Sequence, residues 1–143
     1  MELQDRVLQC FADSIEVKQR SGRVLAGPIS SAAELVSNVL LNNRKLLVCG
    51  NGGSAADAQH LAAEFVNRFE LERPGLPAIA LTTDSCTITS IGNDRRFAEI
   101  FSRQIQALGQ PGDCLIAISP VGIPRKSWPL LLRPKSATCR SFC

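Results

Sequence analysis

Histidine occurs once in this chain of 143 residues, at position 60. Any imidazole chemistry therefore has to be found there. None of the six cysteines, at 10, 49, 86, 114, 139 and 143, stands in a Cys-x-x-Cys pair, which argues against a cysteine zinc site or a disulfide framework. Cys49 and Cys114, set among apolar neighbours, read as buried thiols. No apolar run approaches the ~20 residues of a membrane span, and the opening residues Met1 to Arg6 lack the basic start and apolar middle of a secretory signal. The expectation is a cytoplasmic protein without membrane contact. Acidic residues are absent from position 120 onward.

What is present suits one globular domain with a core: 45% of the residues are hydrophobic and the mass is 15.4 kDa. Leu3, Val7, Leu8 and Phe11, then Ala32, Leu35, Val36, Val39 and Leu40, recur at helical spacing, which predicts two helices near 2–20 and 29–42. Asn42 and Asn43 mark a stop. Lys45–Cys49, Pro77–Leu81 and Cys114–Ile118 read as buried strands, and Ser54–Phe69, Asp84–Ile91 and Phe97–Leu108 as the helices around them. Strands alternating with helices predict an α/β fold with a parallel sheet. Ligands of such sheets bind beyond the carboxyl ends of the strands, where a glycine turn, Thr82 to Asp84 and Ser119 all fall.

That turn joins a strand to a helix: Cys49-Gly-Asn-Gly-Gly-Ser54. Glycines there let backbone approach a ligand closely, and Ser54 is placed to cap the helix, leaving its N–H groups for an anionic or polyhydroxylated ligand. Four residues apart on that helix, His60 and Glu64 share one face and could share a metal or a substrate. The alternative for such a pair is a surface contact worth a few tenths of a kcal/mol. Against it stand the surrounding alanines (Ala55, Ala56, Ala58, Ala62, Ala63), which make the two polar groups conspicuous beside the turn.

The segment Cys49 to Ser54, with His60, Glu64, Arg73 to Ala80 (Arg-Pro-Gly-Leu-Pro-Ala-Ile-Ala), Ile91-Gly-Asn-Asp94 and Gly109-Gln-Pro-Gly-Asp113, resembles the sugar isomerase (SIS) domain of phosphoheptose isomerases. It also resembles their relatives that associate with the replication initiator DnaA. The resemblance covers residues 1–119 and implies a doubly wound parallel sheet. On that pattern residues 1–43 are N-terminal helices that help to build a homotetramer, and 44–119 are part of the SIS domain.

The resemblance further implies an aldose–ketose isomerase that converts sedoheptulose 7-phosphate to D-glycero-D-manno-heptose 7-phosphate, on the way to the heptose of lipopolysaccharide core. Glu64 would be the base that carries a proton through an enediol. His60 and Glu64 would be zinc ligands, and Asn51, Gly52, Gly53, Ser54, Glu64, Asn93, Asp94 and Ser119 would contact the phosphorylated sugar. Asn93-Asp94 also reads simply as a polar turn ending a helix. The family's remaining ligands, a Gln and a His that also serves as acid, would lie in the segment that is expected to be missing here. Alternatively, a non-catalytic scaffold would bind the replication initiator through the same N-terminal helices and the Arg73 to Ala80 segment.

After Ser119 the pattern departs. Residues 120–143 hold five basic residues and four of the eight prolines, so the net charge of +3 divides into −2 before position 120 and +5 after it. A basic tail commonly suggests nucleic acid or an anionic surface, yet Pro120, Pro124, Pro129 and Pro134 forbid the helix expected there. The family's loop at this point is Ser-Thr-Ser-Gly-Asn-Ser. Codons AGC ACC AGT GGG AAT TCC with one A deleted read AGC CCA GTG GGA ATT CC, which is Ser119-Pro-Val-Gly-Ile-Pro124. Residues 120–143 are therefore read as a frameshifted tail. With it, the chain is expected to be inactive and marginally folded, one sheet edge left bare.

Overall fold

The two N-terminal helices expected from the apolar spacing are one. In the computed structural model, which describes residues 2–120 and 140–142, α1 runs unbroken from Leu3 to Leu41 with Pro28 inside it. Proline withholds one amide, leaving the Val24 carbonyl without its helical partner. Val24 is exposed, so water can satisfy that carbonyl and the helix need not end. No residue of α1 is buried, and Leu3, Val7, Leu8, Phe11 and Ile15 are exposed apolar side chains. One 18-residue stretch of α1 has a mean hydropathy of 1.5, enough by length and composition alone for a membrane crossing. Length and composition alone do not make it a span, because helices that assemble with one another have similar composition.

Two compact units make up the chain, Met1–Leu35 and Val36–Cys143. In the second, β1 (Leu46–Gly50), β2 (Ala78–Ala80), β3 (Cys114–Ile118) and β4 (Arg140–Phe142) form a sheet in the order β2-β1-β3-β4, every neighbouring pair parallel. Between β1 and β2 lies α2 (Gly53–Val66), and between β2 and β3 lie α3 (Ser85–Asp94), a 3-10 turn at Phe97–Glu99 and α4 (Ile100–Leu108). The parallel α/β architecture expected from the alternation of elements is the one observed.

Continuous apolar sequence makes β1 an inner strand, because only a strand covered on both faces can bury every residue. All five of its positions are buried. Alternation sends Leu47 and Cys49 to one face, where they meet Leu115, Leu81, Ile100, Phe101 and Ile105 in the core. Leu46 and Val48 turn to the other face, and α2 packs on β1 with its small buried positions Ser54, Ala58 and Ala62. Burial pushes the Cys49 thiol up to about 12, so it stays protonated and inert. Cys114 is likewise buried, whereas Cys10 and Cys86 are exposed.

The tail holds one surprise. Cys114, Leu115 and Ile116 of β3 pair in parallel with Arg140, Ser141 and Phe142, so the edge expected to be bare beside β3 carries a strand. An unpaired strand edge offers a row of donors and acceptors to any extended segment, and β4 takes that place. Residues 121–139 and 143 of the proposed frameshifted tail lie outside the described residues.

At the amino ends of β1 and β3 an ion pair bridges the strands, its carboxylate buried and its lysine half-buried. Asp113, 2% exposed, accepts hydrogen bonds from the Lys45 backbone N–H (3.0 Å), the Lys45 ammonium (2.6 Å) and the Gln110 N–H (2.7 Å). Burial alone would raise the Asp113 carboxyl; the hydrogen bonds from Lys45 and Gln110 and the Lys45 charge outweigh it and hold the group below the usual carboxylate range. The folded value being depressed, the contribution to stability is fully present above the unfolded value of ~3.9 and is lost as pH falls through the folded one. Asp113→Ala strands the Lys45 charge and two amides, so it should cost about 3 kcal/mol at neutral pH, read from the urea midpoint. An unshifted midpoint would refute the clamp.

Candidate active site

Chain direction reverses across β1: it runs from β1 to β2 on one side and then returns to β3 on the other. A crevice opens at such a switch point, beyond the carboxyl ends of the strands. The register pairs Gly50 with Ile118, so the glycine turn and Ser119 leave the sheet side by side.

Two glycines in that turn are required by geometry. A Cβ on Gly50 would stand 2.5 Å from the Ser54 carbonyl oxygen and 2.7 Å from its carbon, and Gly52 has φ 58 and ψ −126, a region L residues avoid. Gly52 rather than Ser54 is the residue that caps α2, and no side chain bonds to the cap. The expectation for Ser54 is thereby corrected: it sits one position inside the helix, buried at 7% exposure, its N–H donating to the Asn51 carbonyl at 3.1 Å. The helix N-terminus still aims its positive dipole end at the crevice. Gly50→Ala forces backbone against backbone and should lower stability by about 1–3 kcal/mol; a urea midpoint equal to that of the unaltered protein would show that the approach is looser than described.

The sequence places His60 and Glu64 on one face of α2, and the structure brings them together, Nε2 to Oε1 at 3.7 Å, with the histidine largely exposed and the glutamate side chain 29% exposed. Both line a cavity of about 570 Å³. Asp57, one turn earlier on the same face, lines it too, as do Leu61, Phe65 and Phe69; Arg73 and Ile118 complete the wall. Asp57 is absent from the residues singled out in the sequence, and Arg73 figures there only as the start of the Arg73 to Ala80 segment, not as a site residue. The spacing of Asp57, three before His60, is the signal that locates it.

Not every expected residue joins them. Asn51, Gly52, Gly53 and Ser54 occupy the turn at the head of α2, and half-buried Ser119 follows β3, next to the cavity residue Ile118. Asn93 and Asp94 are not in the cavity wall: they end α3, exposed, with Asn93 Nδ2 donating to Asp94 Oδ1 at 3.0 Å. That is the polar helix end which the sequence also allowed.

The loop after β2 is held against α2 by two bonds. Gln59 Nε2 donates to the Thr82 carbonyl (3.2 Å) and Thr82 Oγ1 donates to the Ala55 carbonyl (3.3 Å). Asp84 caps α3, accepting from the Thr87 hydroxyl and backbone N–H, and those bonds hold its carboxyl below the usual range.

Two donor atoms about one turn apart fit as part of a zinc site, since tetrahedral ligands at ~2.0–2.2 Å from the ion lie ~3.4 Å from one another. They do not complete one. Among the described residues no group of three or more His, Cys, Asp or Glu is placed to hold a metal, whereas an open catalytic site typically uses three protein ligands.

Comparison with known proteins agrees with this geometry. The SIS domain family matches residues 10–131. Proteins named phosphoheptose isomerase from Azoarcus sp. (strain BH72) and Aromatoleum aromaticum are 57% and 58% identical over 122 residues, which cover 85% of this chain and 62% of each relative. This chain therefore spans about three fifths of the length of the curated relatives it matches. Among solved structures, phosphoheptose isomerase GmhA from Neisseria gonorrhoeae superposes with a TM-score of 0.75 at 50% identity, covering 82% of this chain and 61% of that one. A phosphoheptose isomerase from Francisella tularensis gives 0.79 at 44% identity, covering 83% and 62%. With a parallel sheet that reverses at β1, a glycine turn at the switch point and a family match over most of its length, the chain belongs to the SIS domain family.

Proposed function

We propose that this chain carries the sugar-binding half of an aldose–ketose isomerase that interconverts sedoheptulose 7-phosphate and D-glycero-D-manno-heptose 7-phosphate. The observation that carries the reading is the His60–Glu64 pair in a cavity beyond the carboxyl ends of a parallel sheet. The names of the relatives that share this chain's sequence support it.

Moving the carbonyl from C2 to C1 needs one proton taken from C1 and one delivered to C2, while a second passes from the C1 hydroxyl to the C2 oxygen, with an enediol between. Both carbons are adjacent, so a single carboxylate serves both transfers. Glu64 suits this: its side chain is partly buried and faces the cavity. The positive end of α2 and the turn Asn51 to Ser54 would receive hydroxyls or phosphate, and Ser119 would lie beside them. A zinc ion held by His60 and Glu64, with a third ligand beyond the described residues, would polarise the carbonyl. A carboxylate has two oxygens, so one is left to take the proton.

Assembly through α1 into a homotetramer, a cytoplasmic setting and the frameshift after Ser119 belong to the same proposal. The exposed apolar residues of α1 support the first, and the one-nucleotide relation between the family's loop and Ser119 to Pro124 supports the last. The second reading, a scaffold for the initiator DnaA, rests on α1 as well. An isomerase assay beside an initiator pull-down, on the protein with the family's frame restored after Ser119, separates them: sugar turnover supports the enzyme, and capture of the initiator without turnover supports the scaffold.

A further inference from the structure

Arg73 has no counterpart in the chemistry above, yet it lines the same cavity. Its guanidinium is spent on backbone. One Nη donates to the Glu64 carbonyl at 2.8 Å, and the other to the carbonyls of Phe65 (2.9 Å) and Pro74 (3.0 Å). A helix leaves its last four carbonyls without partners, and α2 ends at Val66. The Ala63 carbonyl accepts from the Asn67 N–H and the Phe65 carbonyl also accepts from the Leu76 N–H. Arg73 is the partner of Glu64's own carbonyl, and its positive charge sits at the negative end of the helix dipole.

From this geometry we infer that Arg73 is a positioning residue: its planar fork, spread over consecutive carbonyls, locks the last turn of α2 and with it the placement of the Glu64 carboxylate beside His60. The inference deepens the isomerase reading, since it concerns the same cavity. A lysine keeps the charge but not the fork, as an ammonium is a point donor on a flexible stem. Arg73→Lys therefore tests the geometry rather than the charge.

The test uses the chain as it stands and needs no turnover, so its failure is distinct from failure of the isomerase reading. In Arg73→Lys, amide hydrogen exchange of Phe65, Val66 and Asn67 should quicken ~10-fold or more, while the β1 amides Leu46–Gly50 keep their rates, as expected for local opening. The lone histidine supplies the second readout, because its ring signals in an NMR spectrum at fixed pH report on Glu64. Arg73→Lys should move them in the direction that Glu64→Gln moves them, and in the Glu64→Gln background it should move them no further, the signature of coupled residues. Unchanged exchange at Phe65 to Asn67, equal quickening in β1, or a His60 shift that is the same with and without Glu64 would each overturn the inference. Should Arg73→Lys unfold, Arg73→Gln is read by the same measurements and the same outcomes.

Discussion

Glu64→Gln in the frame-restored protein should lower turnover ~10²–10⁴-fold, the usual loss when a positioned general base is removed. Glutamine keeps the shape of the side chain and part of its hydrogen bonding, and His60 retains a neighbour at the distance now occupied by Oε1. It cannot accept the C1 proton. Substrate affinity should stay within a factor of about three, because the lost interaction is made in the transition state and the ground-state contacts remain. Steady-state kinetics decide the matter: the loss should fall on kcat with KM nearly unchanged. A variant with near-normal kcat would place the base elsewhere.

The second large effect concerns the metal. His60→Ala should weaken zinc binding to the frame-restored protein by ~10²-fold or more, since even partners outside the coordination sphere are worth 10–100-fold. The chain as given should bind zinc poorly in any form, because the described residues offer only the His60–Glu64 pair. Competition against a chromophoric chelator measures both. Equal affinity with and without the imidazole would remove His60 from the metal site, and would return the pair to the surface contact that its spacing alone allows.

Legibility followed the physics of each element. Strands β1 and β3 could be read because their residues are apolar without alternation, the mark of a strand covered on both faces. α2 was legible from the glycine turn, although its end was not. The expected helix to Phe69 stops at Val66 because Arg73 comes back from the following loop to take the last carbonyls. That bond has no periodicity and joins residues eight and nine apart, so no spacing rule announces it. The break expected between two N-terminal helices is a gap in the apolar spacing and not in the helix itself. Pro28 interrupts hydrogen bonding, but on an exposed helix water makes good the loss.

In the site, the i, i+4 rule found His60 and Glu64, and its i, i+3 companion, applied to Asp57, would have found a third wall residue. Asn93 and Asp94 came from the family pattern alone, and in this chain they end α3 outside the cavity wall. The composition of the tail, rich in proline and basic residues, concealed β4, whose placement depends on an open edge of β3 rather than on any pattern in Arg140–Phe142.

The proposed reaction moves a carbonyl between adjacent carbons in the cavity of His60 and Glu64. The measurement that tests it most directly is NMR of sedoheptulose 7-phosphate incubated in deuterated water with the frame-restored protein. The aldose should form and carry solvent deuterium at C2, and with Glu64→Gln both should slow by the same ~10²–10⁴-fold. A folded, unaltered protein that leaves the sugar unchanged would contradict it.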